Sequence, residues 1–462
     1  MTLNVLMKRK FFGTNGIRGI VGERINPIFV SKMSSAIASF MLDKGTMIIG
    51  SDSRSSSPFI KNIITASFLA QGIEVIDVGT VPTPLVQFAV PFFKANMGIM
   101  VTASHNPPEF NGIKVIDFDG IEIDIDKQIQ IEQVFEEEKF QIVSWSENKD
   151  KITTDVSTEY IEQIVNQVNV DKIQKKNLSV VVDGGNGVGS LITPYLLRKL
   201  GVKVIGVNCQ LDGSFPGRGV EPTPEKLDLM NSITTIIGAD FSIAHDGDAD
   251  RAIFGDNKGN IHYGDRSIAL FEKWVLSQNN NKKFVTPISS SSVMVDIIEE
   301  EGGEIFWTPV GCIYVSRKMI EKDCILGGEE NGGLFYGPHQ SVRDGMMAAA
   351  LMAEILASSE HKLDDLLNEF PQYFQRKNKL DCPENIKEEV MQYIIQNAEK
   401  TEEIITIDGV KLFYSDGWTL IRPSGTEPIF RIFVEAKTAQ KADLLMKNSL
   451  ELVESAINKF SN

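Results

Sequence analysis

Cysteine is scarce in this sequence: Cys209, Cys312, Cys324 and Cys382 are the only four among 462 residues, and none belongs to a CxxC pair. Neither a disulfide framework nor a thiolate zinc site is expected, and a reducing cytoplasm fits. No stretch approaches the roughly 18 consecutive apolar residues of a membrane helix. The N-terminus reaches Lys8-Arg9-Lys10 after only a short apolar stretch, so no signal peptide is expected either. Basic clusters are short, and 46 Lys plus Arg stand against 62 Asp plus Glu for a net charge of −16. Such a chain does not suit the neutralisation of nucleic-acid phosphates, although a few cations gathered in one cleft could still bind a small anion. Low-complexity tracts are absent, and so is the Gly-Lys-Ser/Thr ending of a nucleoside triphosphatase loop.

The composition present, 42% hydrophobic and 23% charged, is that of a globular protein with large buried cores. At roughly 100–200 residues per domain, the length implies about three or four domains. Through the first three-quarters, short apolar runs end in Gly, Ser or Asp loops and are followed by amphipathic stretches, the rhythm of α/β units. Met47–Gly50 runs into Ser51-Asp52-Ser53-Arg54, Met97–Val101 into Thr102–Pro107, Leu178–Val182 into Asp183–Gly187, Phe241–Ala244 into the Asp246 region, and Cys324–Leu326 into Gly327-Gly328-Glu329. Ligands of open α/β sheets sit beyond the carboxyl ends of the strands, where these loops fall. Polar stretches at Glu147–Thr154 and from Glu360 to about Lys379 read as boundaries, with a further one near Asp256–Gly259. The last ninety or so residues differ, with runs at Ile404–Ile407, Val410–Tyr414, Trp418–Ile421 and Ile429–Ala436 and an Asp408-Gly409 turn. They predict an antiparallel sheet covered by a helix from about Gln440 to Lys459.

Four loops carry residue types suited to chemistry. Thr102-Ala103-Ser104-His105-Asn106-Pro107 holds a serine in a proline-stiffened turn, compatible with a nucleophile activated by His105, with a serine that carries a phosphoryl group, or with a plain polar turn. Asp246-Gly247-Asp248-Ala249-Asp250-Arg251 places carboxylates at alternate positions, which an extended strand end would point to one side. Hard oxygens converging in this way suit Mg²⁺. An EF-hand is excluded by Arg251 at loop position six and Asn257 at position twelve. Arg422-Pro423-Ser424-Gly425-Thr426-Glu427-Pro428, with Arg431 behind it, combines guanidiniums, hydroxyls and a glycine as a phosphate cradle does. Gly328-Glu329-Glu330-Asn331-Gly332-Gly333 offers a carboxylate and an amide that could hydrogen-bond vicinal sugar hydroxyls. The run Gly184–Gly189 lacks the GxGxxG spacing and reads as close strand–helix packing.

In order and spacing, these loops resemble the four signature loops of the α-D-phosphohexomutase family, which includes phosphoglucomutase, phosphomannomutase and phosphoglucosamine mutase. Phe12–Gly19, Asn111–Lys114 and Phe215–Pro224 add to the likeness, the last resembling archaeal members of broad hexose-phosphate specificity. The resemblance implies three related α/β domains and a C-terminal α+β domain, over residues 1–153, 154–256, 257–372 and 373–462, arranged around one cleft. It implies a phosphorylated Ser104 sharing Mg²⁺ with Asp246, Asp248 and Asp250. Arg251 would lie beside it, with Arg18 and Lys114 as proton-handling and charge-stabilising groups. Lys114 is expected to be favoured neutral by nearby like charge and so to serve as a base. Glu329 and Asn331 would bind the sugar, and Arg422, Ser424, Gly425, Thr426 and Arg431 the distal phosphate. Hexose 1,6-bisphosphate is the implied intermediate and activator, hexose phosphates are the partners, and the enzyme is expected in the cytoplasm as a monomer or homo-oligomer. One departure stands out: many relatives carry Ser and His where this chain has Asn331 and Gly333. His339 follows closely and reads as a surface histidine.

Overall fold

A computed structural model describes residues 9–41, 45–398, 401, 403–425 and 427–461. Thr426, expected in the phosphate cradle, lies outside the described residues.

The described residues build four sheets. The first has the order Ile17–Ile20, Phe110–Asp117, Met97–Val101, Thr46–Ser51, Glu74–Thr80 and Lys151–Thr153. The second runs Ile261–His262, Ala252–Gly255, Phe241–His245, Ser179–Asp183 and Lys203–Val207. The third runs Glu304–Thr308, Lys283–Pro287, Leu326–Glu329, Gly333–Tyr336 and Gln340–Arg343. Their central strands are parallel and buried beyond their first residues, as β-branched runs such as Val180-Val181-Val182 require when both faces are covered. The second sheet extends past residue 256 through Ile261–His262, which pairs with Ala252–Gly255.

One turn recurs in all three. The chain climbs a parallel strand (Met97–Val101, Phe241–His245 or Leu326–Glu329), reverses, and returns antiparallel as Phe110–Asp117, Ala252–Gly255 or Gly333–Tyr336. The reversals are 102–109, 246–251 and 330–332, so three of the four singled-out loops occupy one topological position. Gly327, Gly328 and Glu329, expected in a flexible loop, are instead strand residues, and only 330–332 forms the turn.

The fourth sheet is antiparallel throughout, ordered Phe374–Asp381, Ile429–Ala436, Gly417–Pro423, Val410–Tyr414 and Glu403–Ile405, and the helix Ala439–Phe460 packs on it. Phe374–Asp381 falls within the stretch expected as a polar boundary. It is an edge strand whose Lys377, Asn378 and Lys379 are exposed, so its charge reflects solvent on an edge.

Between the second and third sheets runs the helix Gly345–Ser358, apolar all round and buried from Gly345 to Ala353. Its N-cap, Asp344, accepts from Met346 N and Met347 N. His339 is not a surface residue: it is buried, bonds Asp344 through Nε2 at 3.0 Å and packs on Tyr160, whose hydroxyl donates to the same carboxylate at 2.6 Å. The Gly184–Gly189 run is close packing as expected, against the aspartate turn at Gly187 and against the end of the strand Phe241–His245 at Gly189. A Cβ at Gly187 would lie 2.9 Å from Gly247 O, and one at Gly189 would lie 2.9 Å from the His245 ring.

Candidate functional site

Ser104 sits at φ 51°, a left-handed conformation that costs a non-glycine residue of the order of 1–3 kcal/mol. Its neighbours hold it there. Ser104 N donates to Thr102 Oγ1 at 2.8 Å, and Thr102 Oγ1 donates to Asp52 Oδ2 at 2.7 Å. Arg54, fully buried, donates to the carbonyls of Ser104, Asn106, Pro107 and Phe110 at 2.6–2.9 Å and pairs with Asp52 at 3.0 Å. Sequence reading marked Ser51–Arg54 as a strand-end loop and missed this clamp, since the carbonyls it holds lie about fifty residues away.

Ser104 Oγ donates to Asp246 Oδ2 at 2.9 Å and lies 3.4 Å from His105 Nδ1. Burial, with Arg251 and Arg18 nearby, lowers the His105 ring to about 2 and keeps it neutral. The aspartate segment is a turn rather than the expected strand end, with Ala249 at φ 56°. Bending brings one oxygen from each of Asp246, Asp248 and Asp250 within 4.8 Å of the others. Asp248 Oδ1 and Asp250 Oδ1 are buried without a hydrogen-bond partner among the described residues. Three converging hard donors, two with unused oxygens, fit a small divalent cation such as Mg²⁺.

Burial, then Asp250 and Asp248, raises Asp246 above the usual carboxylate range. Burial also disfavours charge on Asp248, but Lys114, Thr83 and Arg18 outweigh it and hold that group low. Thr83, at the start of the helix Thr83–Phe92, donates to Asp248 Oδ2 at 2.6 Å, another anchor that sequence reading missed. Lys114 Nζ donates to Asp248 Oδ2 at 2.7 Å and Asp250 Oδ2 at 3.0 Å. Burial alone would depress this amine, yet the two carboxylates raise it well above the usual lysine range. The expected neutral base meets opposite surroundings here: the groups in contact with Nζ are anionic and favour its charged form.

Arg18 donates Nη1 to Asn106 Oδ1 at 3.0 Å, while its buried Nε and Nη2 have no hydrogen-bond partner among the described residues. Arg251 lies 4.0 Å from Asp246 and 3.9 Å from Asp250. Glu329 is buried beside Arg343, which donates to Glu329 Oε2 at 3.1 Å and also pairs with Asp250. Asn331 turns inward: its Oδ1 accepts from Gly333 N at 3.1 Å and its amide approaches Glu329 Oε2 at 3.5 Å, so it shapes the turn.

In the fourth sheet Arg422 and Arg431 are cross-strand partners, and like charges so placed repel. Acids offset them: Asp408 accepts from Arg422 at 3.0 and 2.9 Å, and Glu427 pairs with Arg431. Gly409, at φ 78°, makes the close approach possible, since a Cβ there would lie 2.2 Å from Ile421 O and 2.7 Å from Arg422 Cα. Lys387, missed from sequence, donates to Ser424 O at 2.9 Å and Glu427 O at 2.7 Å and fixes the loop backbone. A cleft of about 620 Å³ is walled by Arg9, Arg18, Arg24, His105, Gly425 and Arg431 among others. It adjoins a second cavity of about 200 Å³ against Tyr314, Arg422 and Ser424. Ser104 and Glu329 line neither.

Known proteins resemble this chain along nearly its whole length. The description "Phosphoglucomutase/phosphomannomutase, alpha/beta/alpha domain" matches residues 9–142 as domain I, 158–259 as domain II and 263–374 as domain III, and the C-terminal domain of the same family matches 378–451. A phosphoglucomutase/phosphomannomutase of Thermococcus kodakarensis is 41% identical over 97% of this chain and 99% of its own length. A phosphoglucosamine/phosphogalactosamine mutase of Sulfurisphaera tokodaii is 40% identical over 96% and 99%. The crystal structure of a phosphoglucomutase/phosphomannomutase family protein from Burkholderia thailandensis superposes with a TM-score of 0.87 at 27% identity, covering 98% of each chain. No helix of the described residues is long and apolar enough to cross a membrane. With all four domain types matched in order and both relatives aligned nearly end to end, the chain belongs to the phosphoglucomutase/phosphomannomutase family.

Proposed function

We propose that this phosphohexomutase moves a phosphoryl group between O1 and O6 of a hexose phosphate, with Ser104 as carrier and hexose 1,6-bisphosphate as intermediate. The observation that carries the reading is Ser104 Oγ on Asp246 Oδ2 at 2.9 Å, inside a turn whose other two carboxylates keep an oxygen unused. Phospho-Ser104 gives its phosphoryl group to the free sugar hydroxyl: the P–Oγ bond breaks, a P–O bond to the sugar forms, and the hydroxyl proton ends on Oγ. The bisphosphate then turns over, and Ser104 takes back the other phosphate.

Asp246, Asp248, Asp250 and the Ser104 oxygen would hold Mg²⁺, which when bound draws charge from the transferring group. Lys114, held cationic, and Arg18, with two donors unused, stabilise charge on the phosphoryl oxygens. Glu329 holds the sugar 3- and 4-hydroxyls, and Arg422, Ser424, Gly425, Thr426 and Arg431 hold whichever phosphate is distal. The name of the Sulfurisphaera relative favours a second reading, preference for a 2-amino sugar. Assaying glucose-, mannose- and glucosamine-1-phosphate side by side with Mg²⁺ tests both. Isomerised hexose phosphate is expected, and release of inorganic phosphate instead would mark a phosphatase.

A further inference from the structure

One guanidinium links the sugar turn to the aspartate turn. Arg343 donates Nη1 to Glu329 Oε2 at 3.1 Å and Nη2 to Asp250 Oδ2, and all three side chains are buried. Its backbone is fixed at the end of the strand Gln340–Arg343, directly before the Asp344 cap that Tyr160, His339 and Gln340 hold. The side chain passes over Gly333, where a Cβ would lie 2.6 Å from Arg343 Cδ and 3.1 Å from Glu329 Oε2. Glycine at 333 therefore leaves the space that the arginine fills. Asp250 Oδ2, already bonded by Lys114 at 3.0 Å, is saturated by this second donor, and only Oδ1 is left unused.

We propose that Arg343 is a positioning residue that sets the Glu329 carboxylate for the sugar and limits Asp250 to one free oxygen, coupling sugar recognition to the cation site. The inference rests on the mutase reading of Glu329 and the aspartates. It carries opposite signs at its two ends. A cation beside the triad opposes binding of a second cation, so removing the guanidinium strengthens metal binding. The same removal frees Glu329 to rotate and weakens sugar binding. A residue that merely supported the fold would weaken both.

The test uses the full-length protein, with Mn²⁺ binding followed by electron paramagnetic resonance without substrate, and KM and kcat measured for glucose 1-phosphate. Arg343→Gln should tighten Mn²⁺ by about threefold or more and raise KM by about tenfold or more, the scale of one charge-assisted hydrogen bond. Arg343→Lys, which keeps the charge but loses the fork, should leave Mn²⁺ binding near wild type and raise KM. Gly333→Ala, which pushes the arginine aside, should also raise KM and keeps the proposal testable if Arg343→Gln fails to fold. Weaker Mn²⁺ binding in Arg343→Gln, or an unchanged KM in Arg343→Lys and Gly333→Ala, overturns it. A wild type that binds Mn²⁺ but isomerises no hexose phosphate overturns the mutase reading instead, and the Mn²⁺ titration still judges Arg343's effect on the cation site.

Discussion

Ser104 and the three aspartates are at most 1% exposed, whereas in the loop at 422–428 Gly425 is exposed, with no described residue beyond its chain neighbours within 4 Å of an added Cβ, and the Arg431 side chain is 41% exposed. On the proposed reading both regions handle phosphate, yet one is sealed, whereas the other buries Arg422 and Ser424 and opens at Gly425 and Arg431. Around Ser104, the buried Arg54 and Thr83 come from other segments of the chain and fix oxygens to within hydrogen-bonding distance. The phosphate loop has Lys387 beneath it and open space above. Atoms between which a bond is made and broken need one geometry, and held dipoles there need no reorganisation during reaction. A loop that, as proposed, receives either end of a turning bisphosphate needs room.

The largest test of this contrast is Ser104→Ala, expected to abolish mutase activity with the fold intact, as activity and circular dichroism will show. Full activity in that variant would break the comparison at its sealed end. Next in size is Arg54→Ala, which leaves Asp52 buried without its partner. Denaturant unfolding should read a loss of about 3–5 kcal/mol, the scale for breaking a buried pair. Asp248→Asn removes one anionic donor and should lower kcat more than it raises KM, with a higher Mg²⁺ requirement in a titration after chelation.

At the open end the effects shrink. Arg422→Ala should raise KM about ten- to a hundredfold for glucose- and mannose-1-phosphate alike, the worth of a charge-assisted hydrogen bond to a phosphate that both sugars share. Arg431→Ala, at a solvent-screened guanidinium, should raise KM by less than about tenfold. An effect of a different kind, on stability against pH, concerns the seam between the third and fourth sheets, where Lys411 donates to Ile288 O and Ser290 O. Burial lowers this lysine to about 7 against the pull of Glu435 and Asp265. Between that value and the ordinary 10.5 the unfolded chain holds the proton and the folded one does not, so stability should rise with pH across the window. Thermal midpoints of Lys411→Met should lack that slope.

The four loops were legible because polar and glycine residues interrupt apolar runs at strand ends, and the hairpin of the last sheet because Asp408-Gly409 marks a turn. The residues that hold the loops were not. Arg54, Thr83, Arg343 and Lys387 are single polar residues, and the loop atoms they hold lie 14 to 165 positions away, so nothing local in the sequence signals that hold. Alternating aspartates suggested an extended strand, but small Gly247 and Ala249 allow a tighter turn, and Ala249 takes a positive φ there. His339 looked exposed because Gly337 and Pro338 precede it, and its burial depends on Tyr160 and Asp344 from other elements.

The central claim is that Ser104 carries the phosphoryl group. Intact mass and fragmentation of the purified protein, before and after incubation with glucose 1,6-bisphosphate and Mg²⁺, test it most directly. The account predicts a single phosphate adduct located on Ser104, increased by the bisphosphate and discharged by glucose 1-phosphate. An adduct on His105, or none on Ser104 in a preparation that isomerises glucose 1-phosphate, would contradict it.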